Sequence, residues 1–156
     1  MTVAIIGSRG FKMTRVSMKR LKKEITKLVV KDGARDFLFT GDCAFDFACW
    51  AIVFRLKTRN YNVRRIFVRT NWNDSDEKLK ERMVMYEDAI LPDAVRDAGM
   101  LAPCVRNEAM VEMCDVLVTY FKTDNLKRPR IKGYEEVAAE QAQQKKKRVI
   151  NLFENR

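Results

Sequence analysis

Histidine is absent from this 156-residue sequence, and no other feature removes as much chemistry. Without an imidazole there is no Ser-His-Asp or Cys-His nucleophile, no histidine general base and no His-bearing zinc site. Any reaction must run on carboxylates, hydroxyls, tyrosine, lysine, arginine or a cysteine with no His partner. Glycine (6) and proline (3) are scarce too, and no linker, internal repeat or low-complexity tract interrupts the chain. No apolar run approaches bilayer length, and the first residues read as a strand rather than a signal peptide, so no membrane partner is expected. The four cysteines (Cys43, Cys49, Cys104 and Cys114) show no C-x-x-C spacing. Three lie in apolar or helical stretches, as reduced thiols of a cytoplasmic protein do. Neither G-x-G-x-x-G with a well-placed acid nor G-x-x-x-x-G-K-[ST] occurs, which weakens ordinary NAD and P-loop sites. No metal site and no tightly held cofactor is expected.

What is present is a 47% hydrophobic chain, enough for one domain spanning residues 1–156. Its formal net charge is +10, unevenly spread. Residues 1–69 carry 16 Lys+Arg against 5 Asp+Glu, residues 70–121 carry 5 against 11, and residues 122–156 carry 10 against 5. A basic surface broken by an acidic segment fits a nucleic-acid partner, an anionic small ligand, or solubility alone.

Short apolar runs alternate with amphipathic ones. Val3 to Ile6, Phe37 to Thr40, Val63 to Val68, Val116 to Phe121 and Val149 to Leu152 read as strands. Helical spacing runs from Thr14 to Lys31, with Thr14 as N-cap and Gly33 as stop, and again from Phe45 to Leu56. Further helices are expected over Glu77–Tyr86, Arg106–Cys114 and Tyr134–Lys146, while Pro92, Gly99 and Pro103 punctuate a partly irregular region. This pattern predicts an α/β fold, a Rossmann-like three-layer sandwich around a mostly parallel sheet of about five strands.

Four places could carry chemistry, each where a strand meets a helix or loop. The first is Gly7-Ser8-Arg9-Gly10, expected to hand the first strand to a helix N-terminus, where anions collect. The second is Gly41-Asp42-Cys43-Ala44-Phe45-Asp46; Asp42 and Asp46 read equally as cap and dipole partner, roles worth roughly 0.5–2 kcal/mol. The third is Arg106-Asn107, a guanidinium and an amide expected at the opening of a helix. The fourth is Gly133-Tyr134-Glu135-Glu136, whose carboxylates could complement the helix dipole, bind ribose hydroxyls or act as acid/base. Trp50, Trp72, Tyr86 and Tyr120 could stack on a base or belong to the core, and Trp72 is the one expected to be exposed.

Taken together these places resemble the SLOG superfamily, in particular its YpsA/YspA-like branches. Those proteins pair a "GSR" or "GHR" turn with "GGAxGxD", "RNxxMVDxxD" and a late "GGT". Here the counterparts are Gly7-Ser8-Arg9, the stretch from Gly41 to Asp46, the stretch from Arg106 to Asp115, and Lys132-Gly133-Tyr134. Tyr86 to Leu91 resembles the YpsA-type insertion ahead of that arginine. The resemblance implies a site for a nucleotide or nucleotide-derived ligand, NAD- or ADP-ribose-like, in a sensor or sequestering module. It implies phosphate on Arg9, Arg106 and the turn amides, ribose on Asp46 and Glu135, and an aromatic such as Tyr120 over the base. Related branches include cytokinin-activating phosphoribohydrolases and the DNA-binding DprA proteins. This leaves two alternatives: an N-glycosidic hydrolase or transferase using Glu135 or Glu136 with Arg106, and a DprA-like single-stranded nucleic-acid binder. The second would use the basic helix (Lys19, Arg20, Lys22, Lys23, Lys27) and Lys127-Arg128-Pro129-Arg130. A homo-oligomer is compatible with each. Two departures stand out: Asp42 replaces a family glycine, and Tyr134 follows Gly133 where the family has threonine. The phosphoribohydrolase "PGGxGT" is absent.

Overall fold

A computed structural model describes residues 1–70, 75–123 and 131–153; Trp72 and the basic stretch 127–130 lie outside the described residues. Six strands are described: β1 (Thr2–Gly7), β2 (Asp36–Phe39), β3 (Arg64–Val68), β4 (Asp88–Ile90), β5 (Val116–Tyr120) and β6 (Arg148–Asn151). They form one sheet in the order β4-β3-β2-β1-β5-β6, with every pair parallel. Between them run α1 (Arg15–Val30), α2 (Ala44–Thr58), α3 (Asp76–Met83), α4 (Ala102–Met113) and α5 (Tyr134–Gln144). Two 3₁₀ turns, Asp93–Val95 and Gly99–Leu101, fill the stretch whose prolines and glycine predicted irregularity.

Side-chain parity in the strands divides the core into two layers. Val3, Ile5, Phe37, Phe39, Val116 and Val118 meet Leu21, Ile25 and Leu28 of α1 and Phe45, Cys49 and Val53 of α2. Ala4, Ile6, Leu38, Ile66 and Leu117 meet Met110 and Val111 of α4 and the alanines of α5. Both faces of β1 are covered, which is why it reads as an unbroken apolar run. The result is the Rossmann-like α/β sandwich that the alternation of runs predicts. Among the described residues no helix is long and apolar enough to cross a membrane.

The sheet has one more strand than expected. β4 has only three residues, too few for a periodic signal, and lies within the stretch from Tyr86 to Leu91. Tertiary contacts hold its approach. Glu87 accepts hydrogen bonds from the Arg65 backbone and guanidinium and from Lys57 Nζ at 2.7 Å. Arg65 is buried, with its guanidinium 4.9 Å from the centre of Trp50. Burial opposes ionisation of Glu87, but the bonds from Arg65 and Lys57 outweigh it and pull the carboxyl down to about 2.

After β4 the chain recrosses the sheet through α4 and resumes beside β1. Strand order therefore reverses between β1 and β5, the place where open α/β sheets leave a crevice at their carboxyl ends. On the neighbouring side, α2 closes against the exit of β1. A Cβ on Gly7 would lie 2.1 Å from Phe45 Cδ1 and 2.6 Å from its Cβ, and Phe45 is fully buried. Gly7→Ala is expected to cost about 1–3 kcal/mol through overpacking. The check is urea unfolding, with a lowered midpoint and an unchanged slope.

Candidate functional site

The exits of β1 and β2 and the N-terminal parts of α2, α4 and α5 surround a cavity of about 570 Å³. It is lined by parts of all four places singled out in the sequence. From β1 come Gly7, Ser8, Arg9 and Gly10, with Arg9 exposed at the mouth. Ser8 Oγ accepts a hydrogen bond from the Gly10 amide at 2.9 Å, so that amide is already used. The expected hand-over to a helix N-terminus does not occur here. α1 begins only at Arg15, and a capping box of Thr14 and Ser17 closes its first turn. That end of α1 borders a separate cleft of about 250 Å³, shared with Tyr120 and Phe153. Tyr120 packs edge-on to Phe11 at 4.8 Å and to Phe153 at 5.2 Å, away from the four-cornered cavity.

The exit of β2 turns at Gly41, whose φ of +74° lies in the left-handed region that favours glycine. Asp42 follows but does not cap α2; the N-cap is Cys43, which makes no side-chain capping bond. Instead the Asp42 carboxylate reaches across to Arg106, with Oδ2 2.6 Å from Nη1. Asp46 lies beneath the turn, 2% exposed, and is not part of the cavity wall. Its Oδ2 accepts from Thr40 Oγ1 at 2.8 Å and from the Gly41 amide. Its Oδ1 is buried with no hydrogen-bond partner among the described residues. Asp46 therefore shapes the turn from behind.

Arg106 and Asn107 stand in the second turn of α4, because the helix starts at Ala102 with Pro103 in its first turn. Both are 4% exposed and both line the cavity. The Arg106 side chain donates through Nη1 to Asp42 and through Nε to Asn107 Oδ1 at 3.2 Å. Its Nη2 donates to no described residue. At the fourth corner Gly133 is the N-cap of α5, again without a side-chain capping bond. A Cβ there would lie 2.6 Å from Glu135 Oε1, so bare glycine lets the Glu135 carboxylate fold over the helix end. Tyr134 and Glu135 line the cavity; Glu136 does not. One wall residue, Pro103, is not among the places singled out for chemistry. Outside the wall, Arg82 of α3 lies 3.5 Å from the Gly41 carbonyl with its guanidinium over Phe67.

The walls are thus bipolar. Arg9, Arg106 and the N-terminus of α2, which has no side-chain cap, favour an anion, while Asp42 and Glu135, the latter folded over the N-terminus of α5, offer acceptors to hydroxyls. Beneath them, burial lifts the Asp46 carboxyl to about 7, although the bonds from Thr40 and Gly41 pull the other way. An unfolded aspartic acid loses its proton near ~3.9. Between those values the folded state holds a proton that the unfolded state has lost, so this contribution to stability declines as pH rises and levels off above about 7. Asp46→Asn, which retains an acceptor for Thr40 and Gly41, should gain on the wild type between pH 4 and pH 8 by at least ~1 kcal/mol. Urea unfolding of both proteins across that range is the measurement.

No family model matches this sequence, and no curated protein matches it significantly. In three dimensions the chain is similar to the X-ray structure of DNA processing protein A (DprA) from Streptococcus pneumoniae, with a TM-score of 0.60 and 12% sequence identity. The match covers 96% of this chain and 49% of that one, so the chain spans about half the length of its structural neighbour. At that identity the likeness establishes architecture alone: the chain has a DprA-like Rossmann fold.

Proposed function

We propose that the cavity at the strand ends binds a nucleotide or nucleotide-derived ligand of the NAD or ADP-ribose kind, in a sensor or sequestering module. The observation that carries this reading is Arg106. A guanidinium 4% exposed, with Nη2 donating to no described residue, lines a cavity at the reversal of strand order, beside the N-termini of α2 and α5. Phosphate oxygens satisfy such donors, and Arg9 at the mouth adds a second cation. Glu135 and Asn107 supply an acceptor and an amide for ribose or base. The motifs support a YpsA-like branch of the SLOG superfamily, with residues 1–156 acting as one domain. Four free cysteines support a cytoplasmic setting.

A panel of NAD, ADP-ribose, AMP and adenosine tests this by thermal shift and calorimetry. Ligand at a hundredfold excess over its Kd should stabilise the fold by about 2.7 kcal/mol. Arg106→Gln should lose at least about 1.5 kcal/mol of binding through the missing charged hydrogen bonds. Absence of binding by every member at millimolar concentration refutes the reading. Release of free base or nicotinamide during the assay, abolished in Glu135→Gln, would favour an N-glycosidic enzyme instead.

A second reading, single-stranded nucleic-acid binding in the manner of a DprA-like protein, draws on the structural neighbour and on α1. Lys19, Lys22, Lys23 and Lys27 are all exposed along that helix. Under this reading, binding of a single-stranded oligonucleotide weakens steeply with salt. Reversing Lys22, Lys23 and Lys27 to glutamate should then remove most of the affinity and flatten the slope. Fluorescence anisotropy between 50 and 200 mM salt, a range of ~10³-fold effect for proteins with 6–10 phosphate contacts, decides it.

A further inference from the structure

Arg106 already has an anion. The Asp42 carboxylate sits 2.6 Å from its Nη1 and also lines the cavity. The two partners differ in access: the Arg106 side chain is 5% exposed and that of Asp42 is 48% exposed. The arginine is built into α4, whereas Asp42 reaches it from the turn between β2 and α2. A phosphate drawn to Arg106 must therefore lie beside a fixed negative charge or displace it. The cost grows with the charge the phosphate carries. A terminal phosphate monoester carries up to two charges above its second pKa of about 6, whereas an esterified phosphate of a diester or internal pyrophosphate carries one.

We infer that Asp42 is a resident counter-anion that makes the cavity select phosphodiester-type ligands over terminal phosphate monoesters. This rests on the proposed binding of nucleotide-like ligands in the same cavity and names the charge class that the site accepts. Glu135, the other carboxylate on the wall, works in the same direction by opposing excess negative charge near the α5 N-terminus. Arg9, exposed at the mouth, remains available to the second phosphate of a pyrophosphate.

The experiment compares 5′-AMP with 3′,5′-cyclic AMP, which share base and sugar but differ by one charge on phosphorus at pH 8 and by the 3′-hydroxyl, free in AMP and esterified in the cyclic form. Calorimetric affinities are measured for the wild type, Asp42→Asn and Arg106→Gln, with adenosine as the neutral control. The expected result is a cyclic-AMP-to-AMP preference in the wild type that falls about tenfold in Asp42→Asn, because AMP gains affinity there. Adenosine, which has the ribose hydroxyls but no phosphate, sets the baseline for any contact Asp42 makes to them and should change far less than AMP, and inorganic phosphate should raise the melting temperature of Asp42→Asn more than that of the wild type. If Arg106→Gln loses both nucleotides but Asp42→Asn leaves their ratio unaltered, or weakens AMP, Asp42 merely orients the arginine and the inference is overturned while the binding site stands. If no variant binds either nucleotide or phosphate, the cavity reading and this inference fall together.

Discussion

The site depends on one steric constraint, the seating of the Phe45 ring on the bare Cα of Gly7. The ring lies where any side chain at the end of β1 would stand, so α2 approaches the first strand closely enough to bring its N-terminus beside the β1 exit. Cys43, its N-cap, comes within 3.7 Å of the Gly7 carbonyl. Asp42, one residue earlier, is thereby carried to an arginine 64 positions further along the chain. The reversal of strand order opens a crevice, and this contact determines which helix end closes it.

Charge in and under the cavity is organised in depth. Arg9 stands exposed at the mouth, Arg106 and Asp42 form a pair across the wall, and Asp46 lies buried behind the turn. Each acid is treated differently by its surroundings. Asp42 keeps access to water and faces a cation, whereas Asp46 has two donors for one oxygen and none for the other. A charge placed there without full solvation is costly, and burial correspondingly favours its neutral form.

Much of the fold is legible in the sequence because β1, β2 and β5 are apolar runs covered on both faces; β1 ends at Gly7, and Gly41 follows closely on β2. β4 leaves no such trace, since its place is set by pairing with β3 and by the bonds that Glu87 accepts from Arg65, 22 positions earlier in the chain. Pro103 misleads for another reason: proline reads as a break in a pattern, yet it is tolerated in the first turn of a helix. The helix thus opens four residues before Arg106. Tyr120 shares a strand face with Val116 and Val118, which pack towards α1 and α2. Tyr120 turns instead to Phe11 and Phe153, beside the separate cleft at the start of α1. The Asp42–Arg106 pair joins two elements distant in sequence, and only the folded chain can bring them together.

The composition of α5 has its own consequence. Its buried residues are Ala138, Ala139 and Ala142, whereas α1 buries Leu21, Ile25 and Leu28. Alanine allows a helix to lie close to a sheet, but it withdraws little apolar surface from water. Partial detachment of α5 exposes less than detachment of α1, so α5 belongs to the part of the molecule that opens locally at low cost. Because Gly133, Tyr134 and Glu135 form its first turn, such an opening unseals one wall of the cavity while the α1–α2 layer stays intact. The fold thus separates a durable half from one that opens at lower cost.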